Sequence, residues 1–291
     1  MNRWVAGARP RTLPAAVVPV LVGTGVAAGD AVPGSGVVAW RAGAALVVAL
    51  ALQVGTNFAN DYSDGVRGTD DRRVGPRRLV ASGLAAPHLV KRAAALAFAV
   101  AALAGLALVA AVGPELLLVG AASILAGILY TGGPRPYGYA GLGEVAVFCF
   151  FGLVAVAGTA YVQLERLPGL AVAAGVPVGL VATALLVANN LRDVDTDAIA
   201  GKRTLAVRLG APATRRLYGR LLGGALVAVP LLALARPWVL VALAAVPLAR
   251  RLDRRVRDGA TGLDLIGVLA GTARLHLVLG VLLAFGLAMG R

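Results

Sequence analysis

Cysteine occurs once in this chain, at Cys149, and histidine twice, at His88 and His276. A lone cysteine inside an apolar run builds neither a disulfide framework nor a zinc site. Charge is scarce as well. Only 14% of the 291 residues are charged, where a soluble domain carries about a quarter. Together with 59% hydrophobic residues and a mean hydropathy of +0.82, this makes the chain an integral membrane protein. The alternation of polar and apolar residues that marks a membrane barrel is also missing, so the class is all-α. Carboxylates are rarer than bases, 14 against 28, and only Lys91 and Lys202 are lysines. That arginine bias, with many Ala, Gly and Val, points to a GC-rich bacterial genome.

Long apolar runs are what the chain has in their place. A helical span needs about 20 mostly apolar residues. Nine runs approach this, at about 13–29, 42–59, 92–112, 114–131, 140–162, 168–189, 214–235, 237–249 and 271–290. If nine spans alternate, one side of the membrane receives 24 of the Lys and Arg residues and the other only Arg41, Arg166, Arg236 and Arg291. Basic residues stay cytoplasmic, which predicts a cytoplasmic N-terminus and an outside C-terminus. The net charge of +14 is thereby topology, with no nucleic-acid partner implied. The first run also has the flanks of a signal peptide, ending near "GVAAGDA", but removing it leaves eight spans and improves nothing. Glycine at 38 positions suits close helix packing in lipid. Pro14, Pro19, Pro177, Pro230 and Pro247 are expected to kink or break their helices. No segment is long enough for a soluble domain, so residues 1–291 read as one transmembrane domain, with a possible internal duplication of a four-helix unit plus a ninth helix.

The few carboxylates are not scattered. Seven of the 14 fall in two places, Asp61, Asp64, Asp70 and Asp71 after the second run, then Asp193, Asp195 and Asp197 after the sixth. Both runs point the same way, so both clusters emerge at the cytoplasmic boundary. On continuing helices Asn57, Asp61 and Asp64 share a face, Asn60 and Asp64 are a turn apart, and Asn189, Asp193 and Asp197 form a matching row. Stacked like charges need a cation. Oxygen ligands without His or Cys suit Mg²⁺, which takes one or two carboxylates plus substrate phosphates. Beside the clusters stand Arg67, Arg72, Arg73, Arg77, Arg78, Lys202 and Arg203, bases able to bind a diphosphate. Gly65, Gly68, Gly75 and Gly201 allow tight loops over an anion. A membrane transporter is the other class to weigh, but its acidic residues belong near mid-span at broken helices, not at one boundary.

These residues resemble the UbiA superfamily of intramembrane aromatic prenyltransferases. "NDYSD" (60–64) is similar to its first Asp-rich motif, and "DVDTD" (193–197) followed by "GKRT" to its second. Within the superfamily, "ARPRTLPAAVVPVLVGT", "NFANDYSDGVRGTDDRRVGPRRLVASG", "YTGGPRPYGYAGLGE" and "NNLRDVDTDAIAGKRTLAVRLG" resemble the bacterial 1,4-dihydroxy-2-naphthoate polyprenyltransferase branch (MenA) of menaquinone synthesis. The resemblance implies a UbiA-type bundle of nine helices in the bacterial cytoplasmic membrane, with a site opening to the cytoplasm. It assigns metal-ligand roles to Asn60, Asp64, Asp193 and Asp197, makes Asp61 an extra carboxylate, and places Arg73 and Arg77 on the diphosphate. Many members carry a third Asp where this chain has Gly68, which leaves Asp61, Asp70 or Asp71 to compensate. The superfamily's Tyr-x-x-x-Lys element corresponds to Tyr130 and Arg135, one residue displaced.

The implied reaction is Mg²⁺-dependent transfer of a polyprenyl group from polyprenyl diphosphate to 1,4-dihydroxy-2-naphthoate with loss of CO₂, giving demethylmenaquinol. Another aromatic acceptor, such as 4-hydroxybenzoate, is the alternative within the family. Phe58, Tyr62, Tyr130, Phe148 and Phe151 are candidates to face an allylic cation, or else ordinary packing. Arg9 and Arg11, where the chain enters the first span, and Asn57 near the end of the second are the acceptor-binding candidates, with Arg135 also able to meet its carboxylate. Glu144, costly inside the fifth span, is a candidate base or an interhelical hydrogen-bonding group. His88 and His276 are expected at span ends.

Overall fold

The computed structural model describes residues 2–30, 32, 36–69, 75 and 78–290. These are mostly helical, with no strand among them. The short helix α1 (Arg3–Ala8) and a 3₁₀ turn at Pro10–Thr12 lead into α2 (Pro14–Ala28) across a bend of 48°. Next come α3 (Ala39–Val66), α4 (Pro87–Val112) and α5 (Glu115–Leu129). A loop with a 3₁₀ turn at Tyr137–Ala140 precedes α6 (Gly143–Val147), which runs through a π-helical stretch, Phe148–Val154, into α7 (Ala155–Leu164). Then follow α8 (Gly169–Arg192), the short α9 (Val194–Ile199), α10 (Leu205–Ala233), α11 (Val246–Arg257) and α12 (Asp264–Ala288).

Among the described residues six helical stretches are long and apolar enough to cross a membrane, and seven if the bent pair at the N-terminus counts as one span. α5 is shorter at 15 residues. The eighth apolar run differs from a plain span. It winds as a 3₁₀ helix over Pro237–Ala245 before α11, whose Arg250, Arg251, Arg254, Arg255 and Arg257 are exposed. Pro237 and Pro247 occupy the first turns of these two elements, where a missing N–H costs no hydrogen bond. Pro14 likewise starts α2, so only Pro19, Pro177 and Pro230 of the five expected kink sites lie inside helices. A sharper break sits at Gly210, whose φ of 73° interrupts α10 just before Pro212. His88 is exposed in the first turn of α4, but His276 is buried in the middle of α12 because that helix begins well before the apolar run does.

The main core gathers around α8, with Val178, Val181, Leu191, Tyr218, Leu222, Leu275 and Leu279 almost fully buried. A second cluster, Phe58, Leu79, Val90 and Phe98, joins α3 to α4. Outward-facing Leu96, Leu103, Leu118 and Leu231 are exposed, as expected of surfaces bathed in lipid. The helices meet at small residues. A Cβ on Gly152 would lie 2.5 Å from the Gly179 Cα and 2.8 Å from the Gly175 carbonyl oxygen, so the π-helical stretch and α8 touch backbone to backbone. This layout leaves a space between α2, α3, α5, α7 and α8.

Candidate active site

A cavity of about 400 Å³ fills that space. Its lining runs along α3 from Ala45 to Asp64, about 28 Å at 1.5 Å per residue. One end is apolar, with Val20, Ala45, Leu108, Leu116 and Val162. The other is polar and holds Asn60, Asp64, Asn189, Asn190, Asp193, Asp197 and Lys202. The two acidic clusters expected at one boundary therefore border the same cavity.

The local folding explains which members arrive. α3 continues eight residues beyond Phe58, to Val66, so its polar tail stays helical. At about 100° per residue, Asn57, Asn60 and Asp64 occupy one arc, and all three line the cavity. Asp61 falls outside that arc. It is 1% exposed, does not line the cavity, and accepts hydrogen bonds from the backbone N–H groups of Leu79 (2.9 Å) and Val80 (3.0 Å). The expected row of Asn57, Asp61 and Asp64 is thus replaced by Asn57, Asn60 and Asp64, and Asp61 ties down the end of the loop that follows α3. Arg78, one residue before that tie, lines the cavity.

The second cluster is built by a break. α8 ends at Arg192, Asp193 takes φ −97° and ψ 7°, and α9 restarts at Val194. The Asp197 N–H donates to the Asp193 carbonyl at 2.7 Å, and the Lys202 N–H donates to the Asp197 carbonyl at 2.9 Å. Between them Gly201 turns the chain at φ 74°, returning Lys202 to the carboxylates. Its Nζ lies 3.3 Å from Asp64 Oδ2 and 3.9 Å from Asp197 Oδ1. Arg192 reaches Asp193 with Nε at 2.8 Å and a terminal nitrogen at 2.6 Å, and also donates to Asn189 Oδ1 at 2.9 Å. Neither Arg192 nor Tyr139 was among the sequence candidates. The Tyr139 hydroxyl donates to Asp64 Oδ1, and its ring lies 5.0 Å from Lys202 Nζ and 5.6 Å from the Arg67 guanidinium. Burial first, then the charge of Asp64, holds this phenol above the ordinary tyrosine range.

Other candidates are placed elsewhere. Arg67 donates to the carbonyls of Thr131 and Gly133, joining two loops. Arg11, Arg135 and Arg203 are exposed and do not line the cavity. Glu144 is buried behind the wall, where Asn190 donates to its Oε1 at 3.0 Å, the interhelical alternative. Asp70, Asp71, Arg73 and Arg77 lie outside the described residues. Gly68 has φ 70°, so an Asp there, the third carboxylate of many relatives, would be strained. Of the aromatic candidates, Tyr130 and Phe151 line the cavity together with Phe150, Tyr137 and Tyr139. Phe58 packs against Trp4, and Tyr62 faces Lys91. Arg9 and Asn57 line the inner wall, with an Arg9 terminal nitrogen donating to the Asn57 carbonyl at 3.2 Å.

Among the described residues no three His, Cys, Asp or Glu side chains already converge as a metal-binding group. The donor set nevertheless fits a hard cation. Asn60, Asp64, Asn189, Asp193 and Asp197 offer only oxygen ligands from side chains that could accept one, and the carboxylates already attract Lys202 and Arg192.

A family model described as the UbiA prenyltransferase family matches residues 16–261. The chain is 53% identical over 289 residues to the 1,4-dihydroxy-2-naphthoate octaprenyltransferase of Mycobacterium tuberculosis, covering 99% of this chain and 98% of that one. Identity to the Escherichia coli protein of the same name is 37% over 306 residues, covering 99% and 96%. Among solved structures, a UbiA homolog from Archaeoglobus fulgidus bound to GPP and Mg²⁺ superposes with TM-score 0.67 over 97% of this chain and 99% of that one. The apo UbiA homolog from Aeropyrum pernix K1 gives 0.70 over 94% and 96%. Both are 14% identical to this chain, so the likeness to them is one of fold.

Proposed function

The chain belongs to the UbiA prenyltransferase family, and from that membership we propose that it transfers a polyprenyl group from polyprenyl diphosphate to 1,4-dihydroxy-2-naphthoate, with loss of CO₂, giving demethylmenaquinol. The observation that carries this reading is the meeting of two acidic helix ends at the polar end of one long, otherwise apolar cavity. A water-soluble diphosphate belongs at that end, and a prenyl tail belongs along the rest.

Asn60, Asp64, Asn189, Asp193 and Asp197 hold Mg²⁺ in this reading, which when bound neutralises charge on the leaving diphosphate. Lys202 and Arg78 line the same end and supply fixed positive charge to the diphosphate oxygens, with Arg73 and Arg77 assigned there from the sequence. The allylic C–O bond breaks with its electron pair passing to the diphosphate. The cation left behind faces Tyr130, Tyr137, Phe150 and Phe151, whose rings stabilise positive charge and exclude water. The ring carbon bearing the acceptor's carboxylate attacks it. Loss of CO₂ then returns the C–C bonding pair to the ring and restores aromaticity. Arg9 holds the carboxylate until that point.

The nine helical runs cross the bacterial cytoplasmic membrane alternately, as one domain of residues 1–291, and the 24-to-4 division of basic residues puts the N-terminus and the polar mouth on the cytoplasmic side. The two acidic helix ends, on α3 and α8, fall at equivalent places of two four-helix units, which supports the internal duplication. The test is to incubate purified protein with Mg²⁺, 1,4-dihydroxy-2-naphthoate and labelled polyprenyl diphosphates of several lengths, with 4-hydroxybenzoate as a control acceptor. Label should pass to a lipid-soluble naphthoquinol. No transfer to the naphthoate at any chain length overturns the reading.

A further inference from the structure

The wall between the 3₁₀ turn at Pro10–Thr12 and α3 carries a small polar network in the otherwise apolar half of the cavity. Thr12 Oγ1 donates its single proton to the Arg9 carbonyl at 2.9 Å. That oxygen can therefore only accept from its other neighbours, and it does so from Gln53 Nε2 and Asn57 Nδ2, each at 3.1 Å. Asn57 Nδ2 also donates to the Ala8 carbonyl at 3.0 Å, and Asn57 Oδ1 faces Gln53 Nε2 at 3.4 Å. This orients the Gln53 amide, with nitrogen toward Thr12 and Asn57 and Oε1 on the other side. Gln53 Oε1 is buried and receives no hydrogen bond. Gln53 itself is 8% exposed and borders the cavity. A buried carbonyl without a donor keeps a desolvation cost until a ligand supplies one.

We propose that Gln53 accepts a hydrogen bond from the hydroxyl of the aromatic acceptor that lies remote from its carboxylate, and so selects a naphthoate that carries that hydroxyl over one that lacks it. This rests on the acceptor reading given above. In 1,4-dihydroxy-2-naphthoate the 1-hydroxyl sits beside the carboxylate and bonds to it internally. The 4-hydroxyl has no such partner and must find an acceptor in the protein. Gln53 and Asn57 are four residues apart on α3, about 6 Å along its axis, and Arg9 is tied to the Asn57 carbonyl. A carboxylate held at the level of Arg9 thus places the far side of a single ring at the level of Gln53. Asn57 is fully occupied by its own partners and acts as the brace that points Gln53. An analogue without the 4-hydroxyl would leave Oε1 unsatisfied, and a site built around a hydrogen bond rejects such a ligand.

The test uses the full-length protein in detergent under anaerobic conditions and measures competitive binding of three ligands. These are 1,4-dihydroxy-2-naphthoate, 1-hydroxy-2-naphthoate, and 1-hydroxy-4-methoxy-2-naphthoate, which keeps the oxygen but lacks the donor. The unmodified protein should bind the dihydroxy compound about tenfold or more tightly than either analogue. Gln53→Met, similar in length but unable to accept, should narrow that preference to about threefold or less while leaving the affinity for inorganic pyrophosphate unchanged. If the unmodified protein binds the methoxy compound as well as the parent, the assignment to Gln53 is wrong, and this arm stands even should the Met variant fail to fold. Tenfold discrimination surviving in a folded Met variant also overturns it, with the acceptor reading intact. Failure to bind any naphthoate defeats the acceptor reading, and the assignment with it.

Discussion

Arg192 holds the carboxylate of its own neighbour, Asp193, through two hydrogen bonds at 2.8 and 2.6 Å, with both side chains buried. Lys202 forms looser ion pairs, its Nζ 3.3 Å from Asp64 and 3.9 Å from Asp197. The chain thus brings its own cations to the carboxylates assigned to Mg²⁺. Breaking such a buried pair without replacing the lost charge is strongly unfavourable, so a divalent ion entering alone competes with Lys202 and Arg192. An ion arriving with a diphosphate gives those cations a new partner.

Lys202→Met should therefore bind Mn²⁺, used as a spectroscopic substitute for Mg²⁺, about tenfold more tightly in the absence of diphosphate. The same variant should bind Mn²⁺ with inorganic pyrophosphate more weakly than the unmodified protein. Electron paramagnetic resonance of free Mn²⁺ reads both constants. Equal Mn²⁺ affinity in the two proteins without pyrophosphate would show that Lys202 does not occupy the metal's place.

Asp61 and Asp64 should separate cleanly. Each oxygen of Asp61 accepts one backbone N–H, and Asp61→Asn leaves one of those N–H groups facing an amide donor, a loss of about 1–3 kcal/mol. The variant should melt at lower temperature and raise KM for the polyprenyl diphosphate, because the loop end beside Arg78 is loosened. Its Mn²⁺ affinity should stay near normal. Asp64→Asn and Asp193→Asn, which keep the shape and an oxygen for the neighbouring cation, should abolish turnover, and each should melt lower than the unmodified protein because Lys202 or Arg192 loses a charged partner. A tenfold loss of Mn²⁺ affinity in Asp61→Asn would restore that residue to the metal set.

The long helices were legible because an apolar run marks each, whereas the short α1 and α9 and the arginine-rich α11 carry no such run, and α3 and α8 were marked by the polar tails that follow them. Asn60, Asp64, Asp193 and Asp197 were found by residue type and spacing, and all line the cavity. Asp61 was misplaced because a step of one residue turns the helix by about 100°, and spacing alone does not say which arc faces inward. Arg192 was hidden by its position. An arginine at a span's cytoplasmic end satisfies the topology rule and signals nothing more. Tyr139 and Gln53 depend on loops and helices distant in sequence, which bring a hydroxyl to Asp64 and leave an amide oxygen without a donor. No local pattern records either fact.

Tyr139 offers two separable contributions to the site. Its hydroxyl donates to Asp64, and its ring lies against the cations of Lys202 and Arg67. A hydrogen bond to a charged group is worth about 1.5–3 kcal/mol, and a desolvated cation–ring contact about 2 kcal/mol. Tyr139→Phe should lower kcat/KM for the polyprenyl diphosphate roughly tenfold, and Tyr139→Leu further, since it loses both contributions. Equal rates for Phe and Leu would mean that the ring does not position Lys202.

The contact of Gly152 with α8 gives a prediction about stability alone. A methyl group there meets the Gly179 Cα at 2.5 Å and the Gly175 carbonyl at 2.8 Å. Backbone atoms cannot rotate away as a side-chain end can, so the two elements must part. Overpacking of this kind costs about 1–3 kcal/mol, and it also separates helices that have no hydrophobic drive to reassociate in lipid. Gly152→Ala should therefore melt well below the unmodified protein in detergent. Gly223 on α10 is exposed and has nothing within 4 Å of an added Cβ, so Gly223→Ala should leave the melting temperature unchanged or higher. The comparison isolates packing from helix propensity, because both substitutions favour the helix equally. Equal melting temperatures for the two variants would show that the Gly152–Gly179 approach is not what holds the π-helical stretch against α8.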